Sequence, residues 1–243
     1  MIKWQPFWRP RPKPNAYALL GECGDRLDAS WSGSSLLKTL VSRRVSKTES
    51  WPKGCHMEPE DLLRMVASIC ENLHIQYFVT GSTATIVYGE PRFTNDIDTV
   101  VELPTSKAQA FCEMFDRKEF YLSEAAVLSA IKQRSQFNLI HPGSGLKVNF
   151  MVAAETDLNR SRMSRARDLP VLEGRTVKFA SAEDAILMKL KYYQEGQSDK
   201  HIRDILSVLK IQNERIDYQY LDHWAGRLGV TTEWKRVLQG TQE

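Results

Sequence analysis

The chain has 243 residues, 42% hydrophobic and 26% charged, with a formal net charge of +3. That length is long for one domain and short for two large ones, and its short, charge-broken aliphatic runs exclude a membrane-spanning helix. Residues 1–56 hold ten Lys or Arg against four Asp or Glu, leaving the remainder at −3, so general attraction to polyanions is not supported there.

Residues 1–56 differ in texture from the rest of the chain. Pro6, Pro10, Pro12 and Pro14 are interleaved with aromatic and basic residues, and four of the six tryptophans lie in this stretch. The composition predicts a poorly structured basic extension, with a tail that contacts nucleic acid as the alternative. Trp4, Trp8 and the prolines occupy the place of a secretory apolar stretch. Met57 precedes Glu58-Pro59-Glu60-Asp61, which suits a first helical turn, so translation could start at either Met1 or Met57. Cys23, Cys55, Cys70 and Cys112 have neither metal-knuckle nor CxxC spacing, which points to free thiols in a reducing, cytoplasmic setting.

The folded body is expected over residues 57–180, with a helical region over 181–243. Leu62, Leu63, Val66, Ile69 and Leu73 recur at helical spacing. IQYFVTG reads as a buried strand, followed by a short helix from Ser82 to Val87 that Tyr88-Gly89-Glu90-Pro91 ends. IDTVVEL is the next strand, and KAQAFCEMFDR and LSEAAVLSAIKQR are helices. QFNLI and LKVNFMV are strands joined by the polar turn His141–Gly145, a hairpin signal. The arginines at 160, 162, 165 and 167 read as a solvated face, with attraction to phosphate as the alternative. After Phe179 the pattern is helical. Ser181 with Glu183-Asp184 makes a helix start, and AILMKLKYY buries Ile186, Leu187 and Leu190 while its lysines project elsewhere. HIRDILSVLK, YLDHWAGRLG and the segment from Thr232 to Leu238 complete the series. The expected class is α+β, a mixed sheet of at least four strands flanked by helices, with an appended C-terminal bundle.

The chemistry concentrates in YFVTGSTATIVYGEPRFTNDIDTVVEL. Gly81 permits a tight turn and close ligand approach, and Ser82 with the first helical amides can hold a phosphate. Asp96 and Asp98 lie two apart on a strand and therefore share one face. Paired carboxylates suit a magnesium or manganese ion bridged to nucleotide phosphates. Taken separately, each feature reads as a helix start or a solvated strand end; the combination is what favours a site.

These motifs resemble the nucleotidyltransferase superfamily with a polymerase-beta-like core, and in particular the bacterial AbiEii-like proteins. Gly81-Ser82 matches the Gly-Ser motif and Asp96-Ile97-Asp98 the Asp-x-Asp motif, with Ala84, Tyr88-Gly89, Arg92 and Thr94 around them. The resemblance implies transfer of a nucleoside monophosphate from a nucleoside triphosphate to RNA, a protein or a small molecule. It also implies toxin-like activity with an antitoxin or other protein partner. Asp96 and Asp98 would bind the metal, while Gly81, Ser82, Arg92 and Lys189 would hold the nucleotide. Lys189 and Asp204 carry over as catalytic auxiliaries; the plainer alternatives are a solvated Lys189 and an Asp204 paired with Lys200 or Arg203. Arg92 reads equally as a phosphate contact or a structural ion pair. Asn149 stands where a third carboxylate is expected, and an amide cannot act as a carboxylate base. Asp157 is the candidate acid to replace it. A weakened or inactive nucleotide-binding or protein-interaction module with the same fold is the alternative function.

Overall fold

The computed structural model describes residues 57–172 and 175–240, and the extension expected over 1–56 lies outside the described residues, as do Cys23 and Cys55. The first helix, α1 (Pro59–Asn72), starts as its sequence demands, with Pro59 in the first turn and a reciprocal cap between Glu58 and Asp61. Its Leu62, Leu63, Val66 and Ile69 are buried. Then come β1 (Tyr77–Thr80), α2 (Gly81–Tyr88), β2 (Asp96–Val101), α3 (Thr105–Glu113), α4 (Glu124–Gln133), β3 (Gln136–His141) and β4 (Leu146–Val152). Three further elements precede the helical region: α5 (Asp157–Arg165), β5 (Arg167–Leu172) and β6 (Arg175–Phe179). The chain continues through α6 (Ala182–Gly196), α7 (Asp199–Gln212), a short 3-10 turn, α8 (Tyr218–Leu228) and α9 (Thr231–Gly240).

The six strands form one mixed sheet in the order β3-β4-β2-β1-β6-β5. β2 runs parallel to β4 and β1 parallel to β6, while the other neighbours are antiparallel. The class is therefore α+β, with a mixed sheet flanked by helices and a helical bundle at the C-terminal end. The hairpin at His141–Gly145 forms as its polar turn predicts, with Ser144 and His141 bonded side chain to side chain across 2.8 Å.

Alternation along the strands assigns each face. Tyr77 and Val79 of β1, Ile97 and Val101 of β2, and Val148 and Phe150 of β4 enter the main core with α1, α3 and α4. Phe111, Phe137 and Phe150 interlock there, with Phe111 edge-on to Phe150 at 5.4 Å and Phe137 stacked on it at 5.0 Å. Such ring pairs are worth about 0.5–1.5 kcal/mol beyond their burial. The other face carries a smaller apolar cluster of Phe78, Val100, Ala153 and Ala180, with Met163 of α5 packed on it. Thr80, Asp96, Asp98, Lys147 and Asn149 alternate onto this second face by strand parity.

The helical region has its own core, in which Ile186, Leu190, Ile205, Leu221, Trp224 and Trp234 are buried. It also holds α2 directly. A Cβ on Gly89 would lie 2.5 Å from the Ser207 hydroxyl oxygen, so only a glycine lets α2 end so close to α7. The Glu90 amide donates to that same hydroxyl, Gln212 donates to the Tyr88 carbonyl at 2.7 Å, and Lys210 pairs with Glu90 at 2.8 Å. No helix among the described residues is long and apolar enough to cross a membrane.

Candidate active site

The site is built on the turn between β1 and α2. Gly81 has φ +64°, in the left-handed region that favours glycine, and a Cβ there would lie 2.0 Å from Asp98 Oδ2. The antiparallel pairing of β1 and β2 sets this contact by placing Thr80 opposite Asp98. On the other side, the parallel pairing of β2 and β4 places Lys147 beside Asp96 and Asn149 beside Asp98. Asn149 donates its Nδ2 to Asp98 Oδ1 at 2.8 Å, and Lys147 Nζ lies 3.6 Å from Asp96 Oδ1. Asp96 is exposed, whereas Asp98 is partly buried.

A cluster of charges lies on the other side of the turn. Arg92 donates Nη2 to the Ser82 hydroxyl at 2.6 Å and grips Asp204 with two bonds, from Nε at 2.9 Å and from Nη2 at 3.0 Å. Lys189 donates to the same carboxylate at 2.7 Å. Both Lys189 and Asp204 are buried, at 4% and 7% exposure. Lys189 therefore does not project into solvent with the other lysines, and Asp204 pairs with neither Lys200 nor Arg203. Burial alone would push the Asp204 carboxyl up, but the bonds from Arg92 and Lys189 outweigh it and hold the group below its ordinary value. Burial pushes the Lys189 ammonium down, opposed by Asp204.

Six of the eight residues singled out from sequence thus fall into two bonded groups about one turn, with Gly81 packed against Asp98. Gly81, Asp98 and Asn149 are in direct contact, with Asp96 on the same face, and Ser82, Arg92, Lys189 and Asp204 form the second group. Asp157 does not join them. It is bonded to Arg160 at 2.5 Å and to Arg227 at 2.9 Å, which hold its carboxyl below the ordinary value. Among the described residues no three His, Cys, Asp or Glu side chains converge into a closed metal cage. Magnesium is commonly held by one or two carboxylates, completing its shell with water and substrate phosphates. Asp96 and Asp98 fit that open mode, and Asn149 adds no third anion.

Two residues here escaped the sequence reading. Arg162 is buried rather than solvated, its guanidinium 4.9 Å from the Phe78 ring centroid and its Nη2 3.5 Å from the Thr80 hydroxyl. Burial pushes its pKa down, while Asp184, held by Ser181 and Tyr220, opposes this as the strongest opposing charge. Arg165 pairs with Glu183 at 3.1 Å and lies over the Tyr220 ring, so Arg162 and Arg165 turn inward, while Arg160 and Arg167 are exposed as the solvated-face reading expects. Tyr192 is the second. Its neighbour Tyr193 continues the buried stripe of Ile186 and Leu190, which leaves Tyr192 on the helix face of Lys189. A cavity of about 460 Å³ lies at the opposite end of β2 and β4, lined by residues including Glu102, Arg134, Ala153 and Asn159.

Neither a family model nor a curated protein matches the sequence. Among solved structures, the chain is similar to an antigenic nucleotidyltransferase-like protein from Paracoccidioides brasiliensis, with 19% identity, TM-score 0.46, and coverage of 74% of this chain and 91% of that one. It is also similar to the antibiotic-resistance factor ANT(2″)-Ia, with 11% identity, TM-score 0.43, and coverage of 73% and 96%. The lincosamide antibiotic adenylyltransferase LnuA, bound to lincomycin, matches with 13% identity, TM-score 0.43, and coverage of 64% and 98%.

Proposed function

We propose that this protein binds a nucleoside triphosphate across the Gly81–Ser82 turn and transfers its nucleoside monophosphate to an acceptor hydroxyl. One observation carries the reading: the turn has paired carboxylates on one side and a bonded Arg92–Asp204–Lys189 cluster on the other. A polyphosphate laid over it would meet cationic side chains at its outer phosphates and the acids at its reacting phosphorus.

Each residue then has a physical task. The amides opening α2 and the Ser82 hydroxyl bind phosphate oxygens, once Ser82 exchanges its bond from Arg92. Arg92 and Lys189 neutralise charge, and Asp204 orients both without touching the nucleotide. Asp96 and Asp98 would hold a magnesium or manganese ion, which when bound supplies charge stabilisation at the phosphoryl oxygens. Asn149 fixes the rotation of Asp98. In the transfer the acceptor oxygen bonds to the α-phosphorus, the bond to pyrophosphate breaks, and the hydroxyl proton passes to Asp96, Asp98 or solvent. A finer assignment as an AbiEii-like, toxin-like enzyme with an antitoxin partner rests on the motif residues alone, and RNA, a protein or a small molecule remain open as acceptors.

A second reading, nucleotide binding without turnover, is favoured by the Asn149–Asp98 bond. It puts an amide where an anionic third ligand would strengthen the hold on a metal. The two readings separate in one experiment. The protein is incubated with labelled nucleoside triphosphates, Mg²⁺ or Mn²⁺, and cellular RNA or protein. Transfer that disappears in Asp96→Ala/Asp98→Ala supports the enzyme. Binding without transfer supports the second reading, and label that persists in the double variant refutes the site.

A further inference from the structure

The hairpin of α6 and α7 stacks its facing side chains in layers. Lys189 of α6 meets Asp204 of α7 at 2.7 Å. Three residues further along α6 and three back along α7, Tyr192 meets His201, with ring centroids 5.9 Å apart and a tilt of 40°. An aromatic layer thus lies just under one helical turn, about 4.5 Å of rise, beyond the charged layer that bonds to Arg92 and through it to Ser82. Tyr192 is 37% exposed. Among the described residues its hydroxyl makes no hydrogen bond, whereas the Tyr193 hydroxyl accepts from Arg236 at 3.0 Å. The two tyrosines therefore differ: the Tyr193 hydroxyl is bonded into the bundle, while Tyr192 stays partly exposed beside His201 with its hydroxyl unbonded among the described residues.

The aromatic layer adjoins the charged pair of the hairpin, and the charges of the site act on it. Burial raises the Tyr192 hydroxyl pKa, and the negative charge of Asp98 raises it further. Burial lowers the His201 pKa, and the charge of Lys189 lowers it further. The ring lies one layer beyond the Lys189–Asp204 pair, which bonds through Arg92 to Ser82, and this puts it beside a nucleotide whose phosphates lie on the Gly81–Ser82 turn.

We propose that Tyr192 is the platform on which the nucleobase stacks, with His201 backing its ring, and that this pair distinguishes a nucleotide from a bare polyphosphate. The inference rests on the nucleotide-binding reading above. Every base has a π face, so such a platform contributes affinity with little sequence selectivity.

Titration calorimetry with MgATP and with magnesium tripolyphosphate tests it. The wild-type protein is expected to bind ATP the more tightly. Tyr192→Leu should weaken ATP about tenfold or more and leave tripolyphosphate unchanged, while Tyr192→Phe keeps both affinities. Photolabelling of the wild-type chain with 8-azido-ATP, which needs no variant, should mark the peptide containing Tyr192. Equal affinities for the two ligands, equal weakening of both in Tyr192→Leu, or a label confined to another peptide would overturn the platform and leave the phosphate site standing. If the wild-type protein bound neither ligand, the nucleotide reading would fall and the platform with it.

Discussion

Asn149 and Asp98 are joined side chain to side chain across β4 and β2, amide nitrogen to carboxylate oxygen, at 2.8 Å. The amide stabilises a carboxylate that would otherwise stand beside Asp96 with little to offset its charge. Replacing the donor by an acid turns attraction into repulsion, which only a cation can relieve. Asn149→Asp is expected to lose about 1–3 kcal/mol of stability without metal and to recover it with Mn²⁺. It should also bind the ion about tenfold more tightly, because a third anionic ligand is added. Thermal melts with and without Mn²⁺ check this; a variant indifferent to the ion would show that Asn149 does not stand at the metal.

Gly81→Ala tests the closeness of the turn. Alanine at φ +64° costs about 1–2 kcal/mol in the backbone alone, and its Cβ would collide with Asp98. The expected result is a lower melting temperature together with loss of MgATP binding. Gly229→Ala is the control, because φ there is +71° but nothing lies within 4 Å of the added carbon. It should lower stability by the backbone cost alone and keep full binding.

Asp204→Ala strands the Lys189 ammonium in the interior with its partner gone. Breaking a buried pair in this way costs about 3–5 kcal/mol, more than replacing both members with apolar groups. Urea denaturation should therefore find Lys189→Met/Asp204→Leu more stable than Asp204→Ala. Triphosphate affinity should fall in both, since neither retains the cluster. A double variant no more stable than Asp204→Ala would mean that the pair is not buried as described.

Stability against acid has two opposed contributions. Asp204 is held below its ordinary 3.8, so its contribution is present above that value and lost as pH falls through the lower folded-state value. Asp184 is pushed above 3.8, chiefly by burial, so its contribution is present below 3.8 and lost as pH rises through the raised value. In urea titrations from about pH 6 to about pH 2, Asp204→Asn should flatten the loss at the acid end. Asp184→Asn should instead remove the loss that accompanies rising pH. Slopes unchanged in both variants would contradict the assignment.

The sheet and the paired acids were legible because they obey local rules. Two residues apart on a strand means one face, whatever the rest of the chain does, so Asp96 and Asp98 could be read directly. Gly81 was legible because a strand running into a helix without a linker needs such a turn. The partner of Lys189 was not, since apolar periodicity assigns a lysine in KLKYY to solvent, and nothing local shows that Asp204 closes over it. β5 and β6 escaped because Pro170 interrupts the strand pattern, a residue tolerated there because β5 lies at the edge of the sheet. α5 escaped because DLNRSRMSR has almost no apolar stripe. Its place depends on Arg162 lying over Phe78, a contact that becomes visible only once the sheet exists.

Arg92 and Asp204 are separated by 112 residues of chain. A ribosome that has released β2 has made the acids and the glycine turn, but not the hairpin that fastens Arg92 and supplies Lys189. Until α7 emerges, the growing polypeptide carries the paired acids and the glycine turn, but Arg92 and Lys189 lack the Asp204 carboxylate that holds both. If the site binds nucleotide as proposed, that competence arrives late in synthesis and nearly all at once, and fragments ending before α7 are expected to fold part of the sheet without binding ATP.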